Sequence, residues 1–109
     1  MRVVPEQRVQ VAPTRFRIPD ICAVKGEPTE QIFRTPPFLC IEILSRDDRL
    51  SAMRERVQDY LNFGVSYVWI IDPASRKAWQ CTSRDMREVE ELVTEDPAIR
   101  IPVQALFED

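Results

Sequence analysis

Apolar and polar positions alternate along two early stretches of the chain, then give way to runs that are apolar on both parities. In "RFRIPDICAV", Arg15 to Val24, the residues Phe16, Ile18, Cys22 and Val24 fall on one side of an extended backbone, because successive side chains alternate between faces. Val3 to Val11 alternates more weakly, with Gln7, Val9 and Val11 on one side and Glu6, Arg8 and Gln10 on the other. With "APT" as a tight connection, the two segments predict a β-hairpin. The polar, proline-rich "KGEPTEQIFRTPP" follows as a loop. It leads into "FLCIEILS", apolar on both parities except at Glu42, the pattern of a central strand covered on both faces.

Beyond that strand, Asp47 or Asp48 is placed to cap a helix running from about Leu50 to Phe63. Leu50, Met53, Val57, Tyr60 and Leu61 recur at spacings of three and four and form its apolar stripe, and Gly64 is placed to stop it. "SYVWIID" reads as another buried strand, closed by the turn signal Asp72-Pro73. "KAWQCT" and "REVEELVTE" read as an antiparallel pair, and "PVQALFED" as a short closing helix. The order β-β-β-α-β-β-β-α predicts a mixed sheet with flanking helices in an α/β or α+β domain. Two strands ask for cover on both faces, yet the chain offers one good amphipathic helix and one short one. One sheet face is therefore expected to be bare, and the chain to self-associate through it.

Composition narrows the chemistry. The 109 residues make a single domain, and 30% charged with 44% apolar residues describes an ordinary soluble protein. No apolar run approaches a membrane span and "MRVVPEQRVQ" lacks a signal-peptide core, so the expected location is cytoplasmic, with no membrane partner. The chain has no histidine, which removes histidine-based triads, general bases and zinc sites. What remains is carboxylates, Lys or Arg, hydroxyls, Cys, or a hard metal held by oxygen ligands. Cys22, Cys40 and Cys81 are odd in number and widely spaced, which suits core packing in a reduced compartment. The net charge of −3 argues against a broad nucleic-acid-binding surface while leaving room for a local basic groove. With two glycines, phosphate-cradling loops are absent.

Asp20 shares its parity with the apolar residues around it, and Glu42 interrupts an apolar strand. An ionised carboxylate in such surroundings costs several kcal/mol unless something pairs with it. The strands carrying the two acids could be neighbours that aim both at one cation, and oxygen-only ligands suit magnesium, manganese or calcium. Alternatively, each acid has its own arginine or backbone partner near a sheet edge. Pro19, beside Asp20, is confined to an edge or a bulge, and bulges re-aim side chains near active sites. Arg56 flanks the apolar stripe one turn before Tyr60, where it can reach over the sheet or cover apolar surface with its stem. Gln7 is expected to hydrogen-bond a neighbouring backbone group, and Asp72 to shape its turn. Trp69, Tyr60 and Trp79 read as core or sheet-face aromatics.

The ordered set "RIPDICAV", "PPFLCIEILS" and "RERVQDYLNFGVSYVWIIDP", with the tail "EDPAIRIPVQALF", resembles the putative restriction endonuclease family (Uma-two type) of the PD-(D/E)xK nuclease-like superfamily. The likeness runs from about Val4 to Phe107. It implies a restriction-endonuclease-like mixed sheet and a metal-dependent DNA endonuclease. Asp20 matches the acid of the "PD" element and Glu42 the following one. By that resemblance the pair, with a main-chain carbonyl beside the second acid, would hold Mg2+ or Mn2+. The superfamily lysine position falls on Leu44, and the helix position that supplies it in this family falls on Arg56, giving catalytic candidates Asp20, Glu42 and Arg56. Family domains carry an N-terminal portion before the point where Met1 begins, so the chain is expected to be a partial domain, truncated or inactive. The alternative is a non-catalytic interaction or structural module that keeps the fold.

Overall fold

The structure, a computed structural model, describes residues 1–28 and 30–108, apart from the side chain of Leu50. Thr29 of the proline-rich loop, Asp109 at the end of the expected closing helix, and the Leu50 contribution to the helical stripe thus lie outside the description. Ten strands, one α-helix and a terminal 3-10 turn follow in order: β1 (Arg2–Pro5), β2 (Val9–Ala12), β3 (Arg15–Arg17), β4 (Ile21–Val24), β5 (Leu39–Ile43), α1 (Leu50–Phe63), β6 (Tyr67–Asp72), β7 (Lys77–Cys81), β8 (Met86–Val89), β9 (Glu91–Thr94), β10 (Ile99–Pro102) and η1 (Val103–Phe107). The mixed α+β architecture matches the expectation.

A six-stranded sheet in the order β1-β4-β5-β6-β7-β8 organises the molecule. Its one parallel pair is β5 with β6, joined through α1, as a parallel connection needs a crossover long enough to return. The other neighbours are antiparallel. Helix α1 stops where expected: Gly64 adopts φ 110°, and its N–H bonds back to Tyr60 and Leu61 carbonyls. Its start differs. Arg49 occupies the N-cap position in extended conformation without a side-chain cap bond. Asp48 is drawn instead into a turn, its Oδ2 accepting the Ser45 N–H at 2.8 Å.

Two cores lie on either side of the sheet. Under α1, Cys22, Cys40, Val68, Ile70 and Cys81 pack against Met53, Val57 and Tyr60, joined by Val9 and Phe33 from the N-terminal segment. All three cysteines are buried free thiols, and burial pushes Cys22 and Cys81 up to about 11, so they serve as small apolar residues. On the opposite face, Ala23, Leu39, Trp69 and Ala78 pack against Leu92 and Val103.

The fold departs from the sequence pattern in four places. First, the expected strand over Arg15 to Val24 breaks at Pro19 and Asp20. The part before the break pairs with β2 in a separate two-stranded sheet, and the part after it joins the main sheet. Alternation restarts at the break, so Phe16 and Ile18 face outward, 47% and 52% exposed, while Arg15 and Arg17 turn towards α1. Second, "REVEELVTE" divides at Glu90: β8 pairs with β7, and β9 pairs with β10, a strand the sequence did not reveal. Third, the closing helix is a 3-10 turn. Fourth, the face expected to be bare is covered by β9, β10 and η1, which bury Trp69 and Leu39. Val3 and Ile43 remain exposed on that face, towards its β1 and β5 end.

Candidate active site

Strands β4 and β5 pair with Ile21 opposite Ile41 and Cys22 opposite Cys40. One position further along this ladder, Asp20 comes opposite Glu42, and the two-residue alternation puts both on the α1 side with Cys22 and Cys40. Backbone pairing stops here because Pro19 lacks an N–H and β4 gives way to the loop. The Asp20 carboxylate fills the vacated place: its Oδ2 accepts the Ile43 N–H at 2.7 Å, while its carbonyl accepts the Glu6 N–H at 3.0 Å. Asp20 is thus half-buried at the end of a strand.

Glu42 lies deeper, 4% exposed, and is met by two side chains of α1. The Tyr60 hydroxyl donates to Oε1 at 2.6 Å. Arg56, one helical turn earlier, approaches Oε2 with its Nε at 4.0 Å, close enough for an ion pair and too far for a hydrogen bond. That Nε is buried and has no hydrogen-bond partner among the described residues. The other end of the guanidinium is held by Asp48, with Nη2 3.4 Å from Oδ1. Burial raises the proton affinity of Glu42 above the ordinary glutamate range, against the opposing effects of the Tyr60 hydrogen bond and the Arg56 charge. Nearby Asp20 and Asp48 charges add to the rise. Asp48 is held below the usual carboxylate range, chiefly by the Ser45 N–H.

The three sequence candidates therefore share one neighbourhood: Asp20 faces Glu42 across two strands, and Arg56 reaches Glu42 from the helix. Each acid also has a partner of its own, Ile43 N–H for Asp20 and Tyr60 with Arg56 for Glu42. Two further contributors, Tyr60 and Asp48, join the site. Tyr60 was read as a core aromatic, and it is one, yet its hydroxyl bonds Glu42; the signal was its spacing of four from Arg56, which puts both on one helix face. Asp48 was assigned to capping and instead supports Arg56. Gln7 donates to the Arg8 and Gln31 carbonyls, the backbone role expected of it. Asp72 accepts the Ala74 N–H and the Ser75 hydroxyl and so shapes its turn.

The sequence model of the Uma2 family, described as "Putative restriction endonuclease", matches residues 1–108. This chain belongs to the Uma2 family. A crystal structure of a "putative nuclease belonging to DUF820" from Anabaena variabilis has the same fold, with a TM-score of 0.77 and 21% sequence identity. The likeness covers 97% of this Uma2 chain and 67% of that protein. No curated protein sequence matches. Among the described residues of this Uma2 domain, no helix is long and apolar enough to cross a membrane.

Proposed function

We propose that this Uma2 domain is a nuclease of the PD-(D/E)xK type that hydrolyses phosphodiester bonds of DNA with Mg2+ or Mn2+. The observation that carries the reading is the meeting of Asp20 and Glu42 at the end of the β4–β5 ladder, with Arg56 over the second acid. The donor set suits a hard divalent ion. Asp20 Oδ1 and Glu42 Oε2 accept no hydrogen bond among the described residues, and the orphaned Nε of Arg56 lies 4.0 Å from Glu42 Oε2. No cluster of three or more acidic or cysteine ligands exists among the described residues. Magnesium needs no such cluster, since it keeps several waters and is commonly held by one or two carboxylates. When bound there, a divalent ion would supply an activated water and neutralise charge on phosphorus oxygens.

The residues of this chain do the rest. Asp20 and Glu42 would hold the ion. Arg56, oriented by Asp48, turns a permanently charged guanidinium towards the phosphate and stabilises its negative charge, but cannot accept a proton. A non-catalytic interaction module is the second reading. It is favoured by the partner each acid already has, and by the bare Val3 and Ile43, through which such a module would self-associate.

The test is Mn2+-dependent nicking of supercoiled plasmid by the wild type, Asp20→Asn, Glu42→Gln and Arg56→Ala. Cleavage by the wild type, lost in both amide variants and weakened in Arg56→Ala, is the expected result. No cleavage and no Mn2+ binding by any of the four proteins would overturn the nuclease reading, and a concentration-dependent dimer lost in Ile43→Lys would select the second.

A further inference from the structure

Helix α1 sends the Tyr60 hydroxyl into the middle of the α1-side core. The residue is 0% exposed, and its ring lies in the same cluster as Cys40, Met53, Val57 and Ile70. A phenylalanine would fill almost the same space without bringing a hydroxyl that must be satisfied out of water. The hydroxyl is satisfied by one acceptor, Glu42 Oε1, at 2.6 Å. A glutamate side chain has several rotatable bonds, and nothing else among the described residues bonds this carboxylate within hydrogen-bond distance. Arg56 stands off at 4.0 Å on the other oxygen. One helix face thus addresses the two oxygens separately: Tyr60 ties Oε1, and Arg56 leaves Oε2 free to take a ligand.

We propose that Tyr60 is a positioning residue, which fixes Glu42 in one rotamer so that Oε2 alone is presented to a divalent cation. The proposal rests on the metal-dependent reading of the site and adds a residue to it. The physical basis is preorganisation. A hydrogen bond from outside the ligand set orients a carboxylate before the ion arrives, and loss of such a partner commonly weakens metal affinity by about 10-fold or more. A tyrosine that merely satisfied a buried acid would matter for stability and leave metal affinity unchanged.

The experiment is a Mn2+ titration, followed by the electron-paramagnetic-resonance signal of the free ion. The proteins are wild type, Tyr60→Phe, Glu42→Gln and the double variant, each checked for cooperative melting in chelator. We expect Tyr60→Phe to bind Mn2+ about 10-fold more weakly than wild type, with no further loss when it is added to Glu42→Gln. The DNA KM should stay constant while kcat falls. If Tyr60→Phe fails to fold, para-fluorophenylalanine at position 60, which fills the hydroxyl's place without a donor, carries the same expectation. Wild-type Mn2+ affinity in the donor-less variant, with binding lost in Glu42→Gln, overturns the positioning role and leaves the metal reading standing. A further loss on adding Tyr60→Phe to Glu42→Gln also overturns it, because Tyr60 would then act apart from Glu42. Equal, negligible Mn2+ binding by all four proteins overturns both.

Discussion

Under α1 the main sheet buries Glu42 against the Tyr60 hydroxyl, and α1 itself carries a buried Asp59 that meets Arg15 and Arg17 of β3. The opposite face, under β9, β10 and η1, is a nearly apolar core around Leu92, Leu39 and Trp69. The two faces belong to one set of strands and differ only by parity, so the contrast is written into alternate residues of β4, β5 and β6. Burying charge seldom stabilises more than a well-packed apolar group of similar volume. Fold stability alone would therefore favour apolar residues at 42, 56 and 60, as it does at 39, 69 and 92. The presence of Glu42, Arg56 and Tyr60 together on one face directs functional interest there.

The largest expected effect is on the apolar face. Leu92→Ala removes a fully buried side chain that holds the β9–β10 hairpin to the sheet, and should cost about 2–5 kcal/mol in denaturant unfolding. A loss no bigger than that of a surface substitution would show that the hairpin is dispensable cover. On the helix side, Asp59 accepts Arg15 at 2.8 Å and Arg17 at 2.7 Å, and so pins the β2–β3 hairpin to α1. Asp59→Ala leaves two guanidinium groups without their acceptor. Because Arg15 is half exposed, water replaces part of the loss, and about 1–2 kcal/mol is expected. That effect should shrink in high salt while the Leu92→Ala effect does not, which separates the two faces by mechanism.

Gly64→Ala tests a site in neither core. At φ 110°, with Pro36 Cγ 3.2 Å from where a Cβ would stand, it should cost about 1 kcal/mol and set the baseline for backbone strain. Glu42→Gln carries a sign rather than a size. Burial raises the Glu42 proton affinity in the folded state, so its favourable contribution is complete below the ordinary glutamate range and is lost as pH rises through the folded value. In chelator, the stability of Glu42→Gln relative to wild type should therefore climb across that window and level off above it. A flat difference across the same pH series would mean that Tyr60 and Arg56 fully compensate the burial.

The sequence was legible where one local pattern met one local outcome. The α1 stripe and Gly64 fixed a helix whose ends agree with the reading, and the double-parity runs around Glu42 and Trp69 located two central strands that are neighbours in the sheet. Asp20 and Glu42 were picked out because each breaks an apolar pattern, and the fold does bring them opposite one another. What was lost depended on where strands part. Parity carries no information across Pro19, so Phe16 and Ile18 were placed on the wrong side. Nothing in "REVEELVTE" marks the corner at Glu90, because the β9–β10 pairing that makes it is a tertiary choice. The roles of Tyr60 and Asp48 were hidden for a related reason: each has an ordinary local explanation, core aromatic or helix cap, and only packing shows which oxygen or guanidinium it meets.

The bond from the Ile43 N–H to Asp20 has a spectroscopic consequence. Its donor is a backbone amide of β5, and its acceptor lies 23 residues earlier in the chain. Ile41, the next amide of the same strand that faces β4, pairs opposite Ile21 through the regular ladder. Solvent exchange at the Ile43 amide should therefore follow the position of one carboxylate rather than the integrity of the sheet. Removing the acceptor, as in Asp20→Ala, should quicken exchange at Ile43 and leave Ile41 protected. A single backbone resonance thus serves as a gauge of the Asp20 side chain that needs neither substrate nor turnover.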